Sequence, residues 1–365
     1  MTASAAGIAV LKKLLKDSER RQPPGVKDEI PFGRIPTDHM LVCDYSPKEG
    51  WRTPEIVPYG PFTFSPDAVV FHYGQQVFEG LKAYRCPHNP SDIFLFRPEE
   101  NARRFFQSAE IMGMVPVPIE LFLHAVRELV ATDRNWILPH PGSLYIRPML
   151  IPLDTGVSYR AAESYRFAVI LSPAKAYFSK ATGVNVYVER TRVRAVRGGV
   201  GEAKAGGNYG GSVAVLNKAK QLGADHVLWL DGVERRFVEE VGAMNVMFVY
   251  DDGSIATPQL SGSILHGVTR QSLVELMDHH NKPIRQVPLP IDQVLSDVKA
   301  GRIKEVFGCG TAAVVSPVRA LLDQGEEYIV GQGTPGPVTL QLKAELESVQ
   351  NGSGPDPLGW RTKIS

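Results

Sequence analysis

The stretch Gly198–Ser212, GGVGEAKAGGNYGGS, carries the strongest chemical signal in the 365-residue sequence. Seven glycines surround one lysine, Lys204, whose chain neighbours Ala203 and Ala205 are small. Glycine lets the backbone approach a ligand closely, and a lysine without bulky neighbours can act as a nucleophile toward a carbonyl group. The alternative interpretation is a flexible surface loop with a solvated lysine. A Walker phosphate-binding loop is excluded, because the Gly-Lys-Ser/Thr ending is missing.

Two further stretches predict backbone that binds an anion. The first, Gly308–Ala313 (GCGTAA), follows a strand and matches the weak dinucleotide pattern G-x-G-x-x-A. The VVSPV after it is β-rich, whereas that pattern requires a helix, so we favour a nest in which the N–H groups of Thr311 and Ala312 face a phosphate or carboxylate. The second, Gly267–Arg270 (GVTR), opens a predicted helix, and helix N-termini attract anions.

Charged residues near these stretches allow more than one interpretation. Glu239 and Glu240 end a predicted strand and could supply an acid or a partner for a cation, although such pairs are usually solvated. Four arginines follow closely along one segment: Arg190, Arg192, Arg194 and Arg197. We interpret them as the polar face of a strand, with some side chains contacting an anionic ligand, and not as a nucleic-acid-binding surface.

The composition is that of a globular protein, with 43% hydrophobic and 22% charged residues. Forty basic and 39 acidic residues give a net charge of +1, which argues against a nucleic-acid partner. No apolar run approaches the length of a membrane span, so no membrane partner is expected. Three widely spaced cysteines predict neither structural zinc nor another metal site, and they are typical of a reducing compartment, here the cytoplasm. An amphipathic helix is predicted at the N-terminus, with Ile8, Leu11 and Leu15 on one face; a transit peptide is the rival interpretation.

Apolar patterning predicts a mixed α/β (α+β) protein. Strands are expected over 69–85, 143–151 and 166–174, and helices over 98–113 and 118–133. Further strands and helices alternate through the second half of the sequence.

This pattern breaks near the middle of the chain, which predicts two domains. We place an N-terminal small domain at 1–178, a linker at 179–187 and a larger C-terminal domain, carrying Lys204, at 188–365.

Taken in order, eight segments resemble branched-chain amino acid aminotransferases, which are fold type IV enzymes that use pyridoxal phosphate. The segments are HYGQQVFEGLKAYR, LFRPEENARR, SLYIRP, EAKAGGNYGGS, VLWLDG, EEVGAMN, HGVTRQSL and EVFGCGTAAVVSPV. The resemblance covers nearly the whole chain. It implies a smaller N-terminal α/β domain, a larger C-terminal domain with a mixed barrel-like sheet, and a homodimer.

The resemblance also implies pyridoxal 5'-phosphate as the cofactor. Lys204 would form a Schiff base with it and, once freed by the substrate amine, would move the proton between the substrate Cα and the cofactor. Glu240 would pair with the pyridinium nitrogen, and Tyr209 would hydrogen-bond the ring 3-oxygen. The remaining cofactor contacts would be Arg104, Val268, Thr269 and Thr311 at the phosphate, with Arg194 close by.

The substrates implied are L-leucine, L-isoleucine or L-valine with 2-oxoglutarate, which give branched 2-oxo acids and L-glutamate by ping-pong kinetics. The N–H groups of Thr311 and Ala312 would bind the substrate α-carboxylate. Arg147 would receive the side-chain carboxylate of glutamate. The pocket lining would be Phe32, Tyr73, Phe78, Tyr145, Val157 and Tyr177, partly from the second subunit.

The sequence departs from the family pattern at three places. Ala243 stands where a hydroxyl or glycine is frequent, which would remove one cofactor hydrogen bond. Ala313 and Ser316 replace the C-x-x-C of animal members, so that redox switch is not expected. Cys309 replaces a frequent serine, and we expect an accessible thiol without a regulatory role.

Rival functions remain open from the sequence. A D-amino acid aminotransferase or an aminodeoxychorismate lyase would share the fold. A nicotinamide dehydrogenase would rest on GCGTAA, and a non-enzymatic binding module is the third alternative.

Overall fold

The computed structural model describes residues 8–25, 27–175 and 182–364. The chain divides into two compact units. Unit 1 contains Met1–Ala176, Ala203–Gly206 and Ser348–Ser365, and unit 2 contains Tyr177–Glu202 and Gly207–Glu347. Of the predicted linker, 179–181 lie outside the described residues.

Within the described residues, the helices and strands are given in chain order. The helices are α1 (Val69–Tyr73), α2 (Pro98–Ile111), α3 (Ile119–Thr132), α4 (Gly206–Gly210), α5 (Val213–Gln221), α6 (Val268–His279), α7 (Ile291–Lys299) and α8 (Pro337–Asn351). The strands are β1 (Leu11–Lys12), β2 (His39–Ser46), β3 (Gly50–Trp51), β4 (Glu55–Pro58), β5 (Val77–Phe78), β6 (Leu81–Arg85), β7 (Ile93–Phe96), β8 (Ser143–Pro152), β9 (Tyr165–Ala174), β10 (Val184–Glu189), β11 (His226–Leu230), β12 (Val238–Val241), β13 (Met244–Tyr250), β14 (Ile255–Pro258), β15 (Arg285–Val287), β16 (Ile303–Gly310), β17 (Val314–Asp323), β18 (Glu326–Ile329) and β19 (Arg361–Ile364).

Unit 1 is built on one sheet, in the order β1-β4-β2-β9-β8-β6-β7-β19, with β3 beside β2 and β5 beside β8. Its centre is the long antiparallel pair β8–β9, in register from Ser143 opposite Ala174 to Pro152 opposite Tyr165. The apolar faces of α2 and α3 pack with this sheet around the buried rings of Phe105, Phe122 and Phe167. The predicted strands over 143–151 and 166–174 and both predicted helices are confirmed.

Two local predictions in unit 1 are wrong. The start of the strand predicted over 69–85 is helix α1, which ends where Gly74 adopts a φ of +60° and donates its N–H to the Val70 carbonyl. The predicted N-terminal helix is replaced by β1, which pairs in parallel with β4. Beyond β1, the Leu15 N–H donates to Nε2 of the buried His39 at 3.0 Å, so tertiary hydrogen bonds hold this segment extended.

Unit 2 is built around a closed sheet. Strands β12, β11, β10, β17, β16 and β13 follow one another, and an additional pairing of β12 with β13 closes the ring. The pairings of β10 with β11 and β17 are parallel, and the others in the ring are antiparallel. Apolar side chains such as Val186, Leu228 and Phe248 fill a separate core. The barrel-like sheet expected for the C-terminal half is therefore confirmed.

The helices found in the described ranges are all too short or too polar to cross a membrane.

The aromatic core of unit 1 leads to a stability prediction. Phe122 is fully buried, whereas Phe71 is 62% exposed. Replacing Phe122 by Ala leaves a cavity and is expected to lower the free energy of unfolding by about 3–5 kcal/mol. Phe71→Ala is the matched control and should change it by about 0.5 kcal/mol. Urea unfolding curves of both variants test this, and equal losses would contradict the assignment of the core.

Candidate active site

Lys204 lies on a short segment held against the sheet of unit 1. Its N–H donates to Ser108 Oγ at 2.9 Å, and its carbonyl accepts from the Phe78 N–H at 3.0 Å. The flanking Ala203 and Ala205 are buried in the core of this unit. The interpretation of this stretch as a flexible loop is therefore wrong at Lys204, because tertiary hydrogen bonds fix its backbone and leave its side chain half-buried.

Close packing explains one glycine of the motif. A Cβ on Gly206 would lie 1.8 Å from Nε2 of Gln76, so a larger residue would require the Gln76 side chain to move. The predicted glycine-dense loop also contains a helical turn, α4, which begins at Gly206.

An aromatic and cationic cluster surrounds the Lys204 side chain. The Lys204 Nζ lies 4.9 Å from the centre of the Phe78 ring, and the Arg147 guanidinium carbon lies 4.6 Å from the same ring. Arg147 donates through Nη2 to the Tyr145 hydroxyl at 2.8 Å, and Tyr145 packs edge-on against Phe32 with ring centres 4.8 Å apart. The structure therefore places these five predicted residues in one connected cluster.

Two features prepare this cluster for a ligand. A Cβ on Gly80 would meet the Tyr145 hydroxyl at 2.3 Å, so only glycine allows Tyr145 to reach Arg147. The buried Nε of Arg147 has no hydrogen-bond partner among the described residues. The hydrogen-bonding capacity of this N–H is therefore unused within the described residues.

Arg104 extends from α2 and forms a buried ion pair in unit 1. Its Nε and Nη2 atoms donate to the two carboxylate oxygens of Glu79 at 2.8 and 2.5 Å. Both residues are at least nine-tenths buried. Sequence reasoning identified Arg104 but not Glu79, which lies between β5 and β6 in the segment HYGQQVFEGLKAYR and was assigned no role there.

The other substrate-pocket candidates of unit 1 form a separate, exposed pair. The Tyr73 hydroxyl donates to the Val157 carbonyl at 2.5 Å, and Tyr73 packs edge-on against Tyr159. Val157 is 66% exposed and Tyr159 is 87% exposed. Tyr177 lies outside the described residues.

In unit 2, three predicted cofactor residues share one cavity. Arg194, Tyr209 and Glu240 line a space of about 240 Å³ together with Ala243 and apolar side chains from α5 and β11. Ala243 therefore presents a methyl group to this cavity, at the position where the resemblance led us to expect the loss of one hydrogen bond to the cofactor.

Glu240 is a buried carboxylate that the fold holds in place. Its Oε1 accepts the Leu265 N–H at 2.8 Å and lies 3.3 Å from Nη2 of Arg194. Glu239 and Glu240 are each only 3% exposed. The expectation that this acidic pair is solvated is therefore wrong, because β12 is a closing strand of the ring and both of its faces are covered.

Both predicted anion sites lie near Glu240 in unit 2. Helix α6 begins at Val268, three residues after Leu265, and its first N–H groups have no partner inside the helix. Thr311 and Ala312 form the turn between β16 and β17. In the sheet, Glu240 pairs with Asn245 and Asn245 pairs with Cys309, so this turn lies only two strands from Glu240.

The structure decides between the two interpretations of GCGTAA. Strand β17 returns antiparallel to β16, with Gly310 opposite Val314. A dinucleotide fold needs a helix and a parallel strand at this point, so the nicotinamide interpretation is wrong.

The expectation of an accessible thiol at Cys309 is also wrong. Cys309 is 1% exposed in the middle of the sheet, and burial raises the pKa of its thiol to about 12. The thiol therefore stays protonated. Within 8–25, 27–175 and 182–364, no group of His, Cys, Asp or Glu side chains could hold a metal ion.

These geometries agree with three comparisons. A family model for class IV amino-transferases matches residues 76–321. The branched-chain-amino-acid transaminase 1 of Bacillus subtilis (strain 168) is 45% identical over 336 residues, covering 91% of this chain and 94% of that protein. The branched-chain-amino-acid aminotransferase of Mycolicibacterium smegmatis (strain ATCC 700084 / mc(2)155) is 42% identical over 340 residues, covering 92% of each.

A solved structure extends the comparison to the fold. The T.th. branched-chain amino acid aminotransferase, complexed with N-(5'-phosphopyridoxyl)-L-glutamate, matches with a TM-score of 0.72 at 28% identity. The match covers 89% of this chain and 98% of that one. The fold and the site together define a fold type IV enzyme. The chain belongs to the class IV amino-transferase family, and the enzyme is an aminotransferase.

The Arg104–Glu79 pair leads to a prediction about stability. Arg104→Ala leaves the fully buried Glu79 carboxylate without its partner and is expected to cost about 3–5 kcal/mol of unfolding free energy. Adding Glu79→Gln removes the unpaired charge and should recover part of this loss. Arg103→Ala, at the exposed neighbouring position, is the control and should cost less than about 1 kcal/mol. Denaturant unfolding measures all three, and an Arg104→Ala variant as stable as the control would refute this role for the pair.

Proposed function

We propose that this aminotransferase uses pyridoxal 5'-phosphate to transfer an amino group between L-leucine, L-isoleucine or L-valine and 2-oxoglutarate. The observation that carries the proposal is the placement of Lys204, whose backbone is fixed by Ser108 and Phe78 while its amine faces the Phe78 ring. The names of the two relatives support the branched-chain substrates. The ligand of the T.th. protein supports both the cofactor and glutamate.

The groups in unit 2 fit the two polar ends of the cofactor. The Glu240 carboxylate is buried beside Arg194, so it can pair with a protonated ring nitrogen, and Tyr209 on the same cavity can hydrogen-bond the ring 3-oxygen. The start of α6 at Val268 and Thr269 offers N–H groups for the phosphate, with Thr311 as a further donor. When bound, the cofactor supplies the electron sink for charge at the substrate Cα.

The residues of the chain then have distinct tasks. Lys204 would anchor the cofactor and, once free, would move the proton at the substrate Cα. The N–H groups of Thr311 and Ala312 orient the substrate α-carboxylate. Because a single carrier of the amino group serves both substrates, we expect ping-pong kinetics.

Dual specificity follows from the cluster around Arg147. The rings of Phe32, Phe78 and Tyr145 offer apolar surface to a branched side chain. Arg147, whose Nε has no partner among the described residues, can instead bind the side-chain carboxylate of glutamate. One pocket can therefore accept both kinds of substrate, because the glutamate carboxylate would pair with Arg147 and would not be buried against the aromatic rings.

We further propose that the enzyme is a cytoplasmic homodimer. Tyr73, Val157 and Tyr159 contact one another and leave a partly exposed apolar surface on unit 1, and such surfaces mark contact sites. Because Tyr73 and Val157 are substrate-pocket candidates, a second copy on this surface would complete the pocket. Cys43, Cys86 and Cys309 are buried free thiols, which supports a reducing compartment.

A lysine variant tests the catalytic assignment. Lys204→Ala removes both the covalent anchor and the proton carrier, so transamination of L-leucine with 2-oxoglutarate should fall by at least about 10⁴-fold. Lys220→Ala, on the exposed side of α5, is the matched control and should keep full activity. Retained activity in Lys204→Ala would overturn the assignment.

An absorbance spectrum of the unaltered protein tests cofactor and substrate class together. We expect a visible Schiff-base band that L-leucine bleaches and 2-oxoglutarate restores. A band that responds to D-alanine and not to L-leucine would move the function to D-amino acids. No band after adding pyridoxal phosphate would contradict the cofactor assignment.

The dimer is tested by placing a charge on the exposed surface. Tyr159→Glu should shift the sedimentation coefficient from that of a dimer to that of a monomer, because a carboxylate is costly in an apolar interface. Leu340→Glu, an equally drastic change at an exposed position of α8, should leave the dimer intact. An unaltered protein that sediments as a monomer would rule out the homodimer.

A further inference from the structure

Glu239 is a second buried carboxyl group that the proposed function does not use. Successive side chains of a strand point to opposite faces, and Glu239 accordingly lines a different cavity from Glu240, one of about 290 Å³. Its Oε1 accepts hydrogen bonds from the Ser263 hydroxyl and, at 3.4 Å, from the Ser261 hydroxyl. Its Oε2 is buried and has no hydrogen-bond partner among the described residues.

A continuous set of contacts links Glu239 to Glu240. The Ser263 hydroxyl donates to Glu239, and the Ser263 carbonyl accepts from Nη2 of Arg194. The same Nη2 lies 3.3 Å from Oε1 of Glu240. Arg194 is itself buried, and its Nε has no hydrogen-bond partner among the described residues. Its position beside Glu240 therefore depends on the Ser263 carbonyl.

We propose that Glu239 is a positioning residue for Glu240, acting by fixing Ser263, whose carbonyl holds Arg194 against the Glu240 carboxylate. This inference rests on the proposed function, in which Glu240 pairs with the ring nitrogen of the cofactor. If Arg194 is displaced, Glu240 loses its neighbouring positive charge and one restraint on its orientation. The ring nitrogen then meets a less well placed partner.

The charge state of Glu239 suits this task. Burial raises the pKa of Glu239, while the hydrogen bond from Ser263 and the charge of Arg194 act in the opposite direction. Protonation would leave this contact in place, because Oε1 needs only to accept the hydrogen bond from the Ser263 hydroxyl. The hydrogen-bond acceptor of Glu239, and not its negative charge, is what the arrangement requires.

Four single variants of the full-length protein, and the double variant that combines Glu239→Ala with Ser263→Ala, test this. Glu239→Ala removes the acceptor, and Ser263→Ala removes the hydroxyl but keeps the carbonyl. Glu239→Gln keeps a neutral acceptor of the same shape. Glu234→Ala is the matched control, because Glu234 lines the same cavity at an exposed position.

Each protein is freed of cofactor and titrated with pyridoxal 5'-phosphate. We expect Glu239→Ala and Ser263→Ala each to raise the dissociation constant of the cofactor up to about tenfold, the scale of one lost hydrogen bond. The double variant should bind the cofactor as tightly as either weakened single variant, because both substitutions remove the same hydrogen bond between Glu239 and Ser263. Glu239→Gln and Glu234→Ala should stay within about twofold of the unaltered protein, since the acceptor is kept in both. The pH midpoint of the cofactor absorbance band should move in the two weakened variants only.

Three results would overturn the proposal. They are an unchanged dissociation constant and pH midpoint in folded Glu239→Ala, additive losses in the double variant, or a loss in Glu239→Gln as large as in Glu239→Ala. Thermal melting confirms folding, and Ser263→Ala with Glu239→Gln decides the matter if Glu239→Ala does not fold. Failure of the proposed function itself would differ, because the unaltered protein would then bind no cofactor.

Discussion

A carboxylate removed from water must be compensated by hydrogen bonds or by an opposite charge, and this constraint organises both units of the protein. In unit 1, Glu79 accepts two hydrogen bonds from Arg104 and so ties α2 to the start of β6. In unit 2, Glu240 accepts the Leu265 N–H and lies beside Arg194, which ties β12 to the loop before α6. Each pair stabilises a turn that also carries a proposed ligand group.

The closed ring of unit 2 explains why consecutive glutamates can have different tasks. Strand β12 pairs with both β11 and β13, and all four of its residues are buried. Because successive side chains of the strand point to opposite faces, Glu240 lines the cavity that contains Tyr209, and Glu239 lines the cavity on the opposite face. Ser263 and Arg194 then connect the two faces. The closed sheet therefore fixes the backbone beneath both carboxylates, including Glu240, for which we propose the contact with the cofactor.

Close packing plays the matching part in unit 1. Gly80 leaves room for the Tyr145 hydroxyl, and Gly206 leaves room for Gln76. The first contact allows Tyr145 to lie beside Arg147. The Lys204 segment itself is held against the sheet by its hydrogen bonds with Ser108 and Phe78. A lysine on a flexible loop would spend little time in a reactive geometry. When the backbone is fixed, only the rotamers of the lysine side chain remain to be sampled.

Elements with strong local signals were predictable from the amino-acid sequence alone. They include the apolar runs of β8 and β9, the Pro98 start of α2 and the helix start at Val268, because pattern and end signals act over a few residues. Motif order likewise pointed to Lys204, Tyr209 and Glu240.

Other features became visible only once the chain was folded. Leu11–Lys12 is a strand, Glu79 neutralises Arg104, and both Glu239 and Glu240 are buried. Those outcomes depend on partners that are distant in the chain, such as β4 for β1 and Arg194 for Glu240, and no local pattern specifies them.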